Sequence, residues 1–485
     1  LGSQQELPRV ITVETPLYSV AINEDGAVFQ NYILKEYKES IDPDALYKEL
    51  IDSVASRDML GLSLAGKSVP GLENAVFSAN GVPDRLNVVD AEKELVFSWR
   101  SDAGVVVEKR YRFTPESYLV QLFVDIKNGS DRPIIDKVVL GIKADTGAEK
   151  GGYSFEGPCA LIDGKLEQIK SKKIKDKSNY PGNIKWLAIV DRYFMKSLIP
   201  LDDTKGAMKL SLDGNGILGN RFVGQESAIQ PGTQKRFAYE IFFGPKSTQV
   251  LKDVGHDLGK AIHFGMFDII AKPLLWFMNF IYGKIPNYGI AIIVLTILTK
   301  ILLWPLGSKS YKSMSEMKRL QPLMAEIREK HKDDKKMMNQ EIMSLYRTYK
   351  INPMGGCLPM ILQIPVFFAL YRMLYQAIEL RHAPFFLWIN DLSAPDRLFH
   401  FSFSIPFMQP PYGIPVLTVI MGATMLLQQK MSPPPGDPTQ AKMMMLMPIV
   451  FTVIFINFSS GLVLYWLINN VLSIAQQTYI QKKYA

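Results

Sequence analysis

The sequence predicts an α-helical membrane bundle of five transmembrane helices with a cytoplasmic helical hairpin, preceded by an all-β domain. Three observations predict it. Hydrophobic residues make up 47% of the 485-residue chain but crowd into its C-terminal part, where several runs approach the roughly 20 residues a spanning helix needs. Short alternating stretches separated by turn residues fill the N-terminal part. Lysine and arginine concentrate in one connection between the apolar runs, which marks the cytoplasmic side.

Residues 1–250 read as β. Alternation of apolar and polar positions marks Ile11–Glu14, Leu95–Trp99, Tyr118–Val124 and Phe237–Phe243 as strands, and Asp25-Gly26, Asn128-Gly129, Asp163-Gly164 and Asp213-Gly214 as turns. Helical periodicity is present only around Pro43 to Val54. A large antiparallel sandwich follows. Residues 251–286 read as an amphipathic helix in the membrane interface, with Leu258, Ile262, Met266, Ile269 and Ile270 at helical spacing before Trp276, Phe277, Phe280 and Tyr282. A helix packed on the sandwich fits the same pattern.

The core, 287–485, holds five expected spans: 288–306, 354–376, 412–431, 443–458 and 462–477. The last two form a hairpin turning at Ser459-Ser460-Gly461. Residues 307–353 carry eleven Lys and Arg against six acids, whereas Ala377 to Pro411 carries two against three, so the first loop faces the cytoplasm and the second faces out. The β domain then lies outside, and the C-terminal Lys482-Lys483 inside. An exported domain needs a signal, and the chain starts at Leu1-Gly2-Ser3 without one, so a preceding signal peptide or first transmembrane anchor is expected. The cytoplasmic loop reads as two amphipathic helices separated at Asp333-Asp334. Met314, Met317 and Met324 lie on one, with Pro322 as a bend, and Met337 and Met338 lie on the other. A coiled-coil or dimer contact is the other reading of these faces.

Composition excludes several classes. Two cysteines, Cys159 and Cys357, leave no disulfide scaffold and no cysteine-based zinc cluster. The net charge of +8 includes no basic block long enough for a nucleic-acid arm, which argues against a nucleic acid as substrate, although a ribosome contact needs only a local patch. P-loop, nucleophile-elbow and metalloprotease motifs are missing, and no metal or cofactor is expected. Gly214-Asn215-Gly216-Ile217-Leu218-Gly219 matches a dinucleotide fingerprint formally, but no helix follows it.

The informative residue is Lys300, inside the first span. A lysine at the centre of a spanning helix costs about 2.5–3.5 kcal/mol on insertion scales. Snorkelling to the inner surface relieves that cost, and so does a water-filled cavity. Neighbouring polarity favours the cavity: Thr296 lies one turn away, Gln363 interrupts the second span, and Gln428 lies late in the third. In the last span Tyr465, Asn469, Ser473 and Gln477 recur every four residues beside Trp466 and Asn470. Such a stripe needs cover from helices or water, and interhelical hydrogen bonding is the alternative to a wet surface. No carboxylate lies within a span, so an unpaired cation suits an anionic visitor better than a proton pump. Seventeen of 22 methionines fall between Met314 and Met447, in keeping with an adaptable binding surface. A solute or lipid transporter is the competing class, but no pair of matching halves is visible. A third reading is a membrane-anchored sugar-binding or sugar-modifying enzyme with its site in the β domain.

Pro305-Leu306, Leu320-Gln321-Pro322, Asn352-Pro353-Met354-Gly355-Gly356-Cys357-Leu358-Pro359, Leu380-Arg381-His382-Ala383-Pro384-Phe385, Gln429-Lys430-Met431-Ser432-Pro433 and Ser460-Gly461-Leu462-Val463-Leu464-Tyr465-Trp466 occur through 260 to 485. On these motifs that part of the chain resembles the YidC/Oxa/Alb family of membrane protein insertases. The exported β region resembles the bacterial form with a periplasmic supersandwich domain. The resemblance implies a non-enzymatic insertase and chaperone of the bacterial inner membrane. Its partners would be nascent membrane proteins, the lipid bilayer, the Sec translocon and the ribosome. It also implies a hydrophilic groove open to the cytoplasm and holding one basic residue, usually Arg. Lys300 stands at that position, which keeps the charge and loses the guanidinium fork.

Overall fold

The computed structural model describes residues 8–51, 59–145, 154–202, 204–349, 358–432 and 438–484. It divides into two compact units, Leu1–His263 and Phe264–Ala485. The division falls inside the segment 251–286 that the sequence assigns to a single helix.

In the first unit the alternating stretches become strands Val10–Glu14, Lys93–Arg100, Leu119–Lys127 and Gln234–Pro245. The two-residue period is visible in burial: Val120, Leu122 and Val124 are buried while Leu119, Gln121 and Phe123 are half-exposed. Strands form a five-stranded and a twelve-stranded sheet, antiparallel throughout apart from the pairing of Val10–Glu14 with Arg85–Asn87. Aromatic side chains from both sheets interlock between them. Phe29 and Tyr32 of strand Val28–Lys38 lie 5.9 and 5.5 Å from Phe243, and Phe29 lies 5.3 Å from Tyr111.

One inward position is not apolar. Lys109 shares its face of strand Val106–Phe113 with Val107, Tyr111 and Phe113 and is 0% exposed. Its Nζ donates to three backbone carbonyls, those of Gly26, Ala27 and Leu60, at 3.0, 2.6 and 2.9 Å. Gly26, Ala27 and Leu60 all have positive φ, so the ammonium fastens two left-handed turns to the larger sheet.

The helix expected within Pro43 to Val54 is absent over its described part, where Tyr47–Glu49 pairs as an edge strand with Val28–Lys38. Two short helices, α1 (Ser171–Ile174) and α2 (Thr248–Val254), belong to this unit. The continuous helix expected from Val254 is also corrected. Gly255, His256 and Asp257 adopt positive φ and stop α2, and short 3-10 turns follow at Leu258–Ala261 and Gly265–Phe267.

The second unit is helical: α3 (Asp268–Tyr282), α4 (Tyr288–Leu302), α5 (Trp304–Arg319), α6 (Gln321–Lys330), α7 (Lys335–Thr348), α8 (Leu358–Gln376), α9 (Val416–Met431), α10 (Pro438–Phe455) and α11 (Ser460–Tyr484). In α3 the buried face is Ala271, Leu275, Met278 and Ile281, whereas Met266 and Ile269 of the expected apolar face are exposed. Asn287 caps α4, its Oδ1 accepting from the Ile290 amide at 3.0 Å. The first expected span, 288–306, is bent: α4 and α5 meet at 65° around Leu303, where Pro305 cannot donate and starts a new helix. Among the described residues no single helix is long and apolar enough to cross a membrane, although that bent pair passes together.

Other boundaries shift as well. Tyr412–Ile414, the expected start of the third span, is a strand paired with Leu398–Phe401, and α9 begins only after Pro415. The fourth helix begins before and ends before the expected 443–458, and α11 extends beyond 477. Residues 350–353 and 354–357 of the expected loop and second span lie outside the described residues. Helices α9 and α10 approach closely because Gly422 has no side chain; a Cβ there would sit 2.2 Å from Thr452 Oγ1.

Candidate functional site

The site is built on α11, whose four-residue polar spacing aligns Tyr465, Asn469 and Ser473 along one face. Lys300, near the C-terminal end of α4, is half-buried and donates from Nζ to Ser473 Oγ at 2.6 Å. That hydroxyl in turn donates to the Asn469 carbonyl at 2.7 Å. Tyr311 on α5 lies beside Ser473 and beside Gln428 of α9, so α4 and α5 both reach this serine of α11 and α9 joins through Tyr311. One turn along α11, Gln363 Nε2 of α8 donates to Asn469 Oδ1 at 3.0 Å, and its amide lies beside the Tyr465 side chain. Lys300 forms no ion pair among the described residues.

The arrangement is therefore a positive point charge at one end of a polar row, satisfied by a neutral hydroxyl. Such a charge retains two donors for an incoming acceptor. Further along the row Gln477 is buried with neither amide atom paired among the described residues. Unpaired amides are costly in an apolar surrounding, so this face suits water or a polar visitor.

Lys300, Gln363, Gln428, Tyr465, Asn469 and Ser473 are thus brought together. Two others are not. Thr296 is 1% exposed and donates to the Ile292 carbonyl of its own helix at 2.6 Å, which removes its hydroxyl from the row. Trp466 packs in an aromatic cluster, with Phe367 at 4.7 Å and Phe455 at 5.0 Å, and its indole N–H is unpaired among the described residues. The methionines of the hairpin also differ among themselves. Met324 is buried and accepts from the Tyr346 hydroxyl at 3.5 Å, Met314, Met317 and Met338 are half-buried, and Met337 is exposed. Asp334 caps α7, as its position predicts, by accepting from the amides of Lys336 and Met337 at 3.0 Å each.

Two participants and one neighbouring cation escape a reading by spacing. Tyr311 joins only because α5 bends away from α4. Gln476 Nε2 donates to the Trp304 carbonyl at 3.1 Å and clamps α11 to that bend. Arg372, a second cation within an expected span, donates to the Phe264 carbonyl at 3.1 Å and stacks over Phe267, apart from the row. Among the described residues no group of three or more His, Cys, Asp or Glu side chains could hold a metal.

A membrane protein insertase YidC from Syntrophus aciditrophicus (strain SB) is 42% identical over 486 residues, covering 99% of this chain and 86% of its own length. The chain belongs to the YidC family. A YidC insertase from Geotalea uraniireducens (strain Rf4) is 44% identical over 98% of this chain and 87% of its own. The family profile described as YidC periplasmic domain matches residues 10–277, and that described as 60Kd inner membrane protein matches residues 280–485. A crystal structure of an active YidC insertase, with its first transmembrane domain resolved, aligns over 97% of this chain and 94% of its own at 19% identity and a TM-score of 0.42. As a YidC-family member the chain is a membrane protein insertase of the bacterial inner membrane. It acts on nascent membrane proteins and the lipid bilayer, and its function is not enzymatic. The transporter reading finds no support among these relatives.

Proposed function

We propose that this insertase lowers the barrier to a polar segment by admitting it to a hydrophilic groove, open to the cytoplasm, whose wall is the row from Lys300 through Ser473 and Asn469 to Gln363 and Tyr465. The observation that carries this reading is a half-buried ammonium held by a hydroxyl and, among the described residues, by no carboxylate. Burying a polar peptide in hydrocarbon is expensive, and a point charge with attendant water offsets that cost for acidic segments above all. The adjoining apolar segment then passes into lipid. Its transfer, at roughly 25 cal/mol per Å² of apolar area buried, drives the process without covalent chemistry.

In this reading residues 1–250 form the periplasmic unit, 251–286 an interfacial segment and 287–485 the insertase core. The core crosses the membrane five times, with the α5–α7 segment as the cytoplasmic hairpin that first meets substrate. Helix lengths bear on this. The 15 residues of α4 and 16 of α9 span about 22–24 Å at 1.5 Å per residue, short of a roughly 30 Å hydrocarbon core. Short spans are accommodated by local thinning, which also shortens the path of a passing segment. The excess of lysine and arginine in 307–353 supports a cytoplasmic hairpin and a ribosome contact, and the Sec translocon is a proposed partner for longer substrates.

A photoreactive residue at Gln363 or Tyr465 should crosslink to a ribosome-stalled nascent chain of an acidic-tailed membrane protein, while one at Val419, on the exposed face of α9, should not. Equal crosslinking from all three positions would remove the groove from the account.

A further inference from the structure

The connection between α8 and α9 ends in a hairpin that leaves large aromatic side chains exposed, although the Phe403 ring stacks on Phe401 with centroids 5.1 Å apart. In Leu398–Phe401, Tyr412–Ile414 and the turn between them, Phe399, Phe403 and Phe407 are 68, 61 and 80% exposed. Exposed aromatics of this size are ordinarily found on mobile loops, but this hairpin is fastened at its base by two consecutive residues of opposite charge. Asp396, 3% exposed, accepts from the Trp388 indole and from the Leu417 amide at the start of α9, each at 2.5 Å. A carboxylate suits the positive end of a helix dipole.

Arg397, 9% exposed, donates to the Pro411 and Ile456 carbonyls at 2.9 and 2.8 Å, so it joins the hairpin to the chain just beyond α10. Guanidinium at that negative end is the complementary choice. Asn457 completes the tie, donating to the Phe407 carbonyl and accepting from the Gln409 amide, both at 2.8 Å. Phe399 and Phe407 are held at positive φ, 53° and 65°. Bulky residues keep such a conformation only where the surroundings over-determine it.

The clamp places the hairpin at the ends of α9 and α10 next to their exposed apolar residues, Val419 and Ile420 on one and Val453 and Ile454 on the other. We propose that this hairpin is a lipid-contacting anchor, seating Phe403 and Phe407 at the boundary between headgroups and acyl chains where the apolar faces of α9 and α10 leave the bilayer. The inference rests on the reading of those helices as spans. Continuity with their apolar faces selects lipid as the occupant, and aromatic side chains favour that depth.

The test uses the full chain with Cys159 and Cys357 replaced by serine and one new cysteine carrying an environment-sensitive fluorophore. Variants Phe403→Cys, Phe407→Cys, Val419→Cys and Lys165→Cys, the last on an exposed residue of the β unit, are reconstituted in phosphatidylcholine–phosphatidylglycerol vesicles. The expected result is blue-shifted emission at 403 and 407, quenched more by lipid brominated near the headgroup than by lipid brominated deep in the acyl chain, with 419 quenched by brominated lipid as well. Emission and iodide quenching at 403 and 407 equal to those at 165 would overturn the anchor while a bromine-quenched 419 left the span reading standing. Blue-shifted emission without bromine quenching would overturn it in favour of a second copy or another protein. An unquenched 419 would overturn the span reading, and the anchor with it.

Discussion

Lys300→Ala should reduce insertion of a substrate with an acidic exported segment by about tenfold or more, the equivalent of losing one charge-assisted hydrogen bond of about 1.5–3 kcal/mol. Two readings of Lys300 make opposite demands on conservative variants. If the ammonium only glues α4 to α11 through Ser473, Lys300→Gln keeps a donor and should restore insertion. If the charge itself draws the segment in, Lys300→Gln should fail like alanine and Lys300→Arg should recover most of the activity. The charge reading is favoured because a neutral donor would satisfy Ser473 at far lower insertion cost than a lysine. Insertion is read by protease protection of the exported segment, with variant levels in the membrane matched.

The second large effect lies in the β unit. Lys109→Met should lower its stability by about 3 kcal/mol, because the carbonyls of Gly26 and Leu60 lose their buried donor and that of Ala27 keeps only the Tyr111 hydroxyl. It should also change the pH dependence. Burial pushes the Lys109 ammonium down to about 7 from its ordinary 10.5. Between those values the unfolded chain binds more protons than the folded one, so Lys109 makes stability rise with pH across this window and fall as pH drops toward 7. Lys246, also lowered chiefly by burial, adds to the same slope. The wild-type unit should therefore gain more stability between pH 7 and pH 9 than the Lys109→Met variant. Amide exchange at the strand Val28–Lys38 in the full chain reads both effects, and identical pH slopes in the two proteins would contradict the assignment.

How much of this was legible depends on the range of the interaction. Strand Leu119–Lys127 declares itself because its residues from Leu119 to Val124 alternate between two environments, and Asp334 declares its cap because the amides it serves are two and three residues away. The row on α11 was legible for the same reason, as the helical period alone aligns Tyr465, Asn469 and Ser473. Thr296 marks the limit of helical spacing as a guide. Its spacing from Lys300 is right, but a threonine hydroxyl inside a helix is claimed by its own backbone before it reaches a neighbour. Tyr311 was hidden by the 65° bend, since extending α4 straight through Leu303 sends that ring elsewhere. The hairpin at Leu398–Phe401 was hidden because strands of three and four residues carry too few alternations to be seen. Lys109 was visible in principle, sharing the parity of Val107, Tyr111 and Phe113, yet its three acceptors lie about fifty to eighty residues away and no local pattern announces them.

Insertion through the groove requires that the space beside Lys300 be wet from one side only. In a chain with Cys159 and Cys357 replaced by serine, Lys300→Cys should react with a membrane-impermeant maleimide added to the cytoplasmic face of sealed vesicles and resist the same reagent at the periplasmic face. Protection from both faces, with labelling only after detergent, would place the residue among acyl chains and contradict the groove.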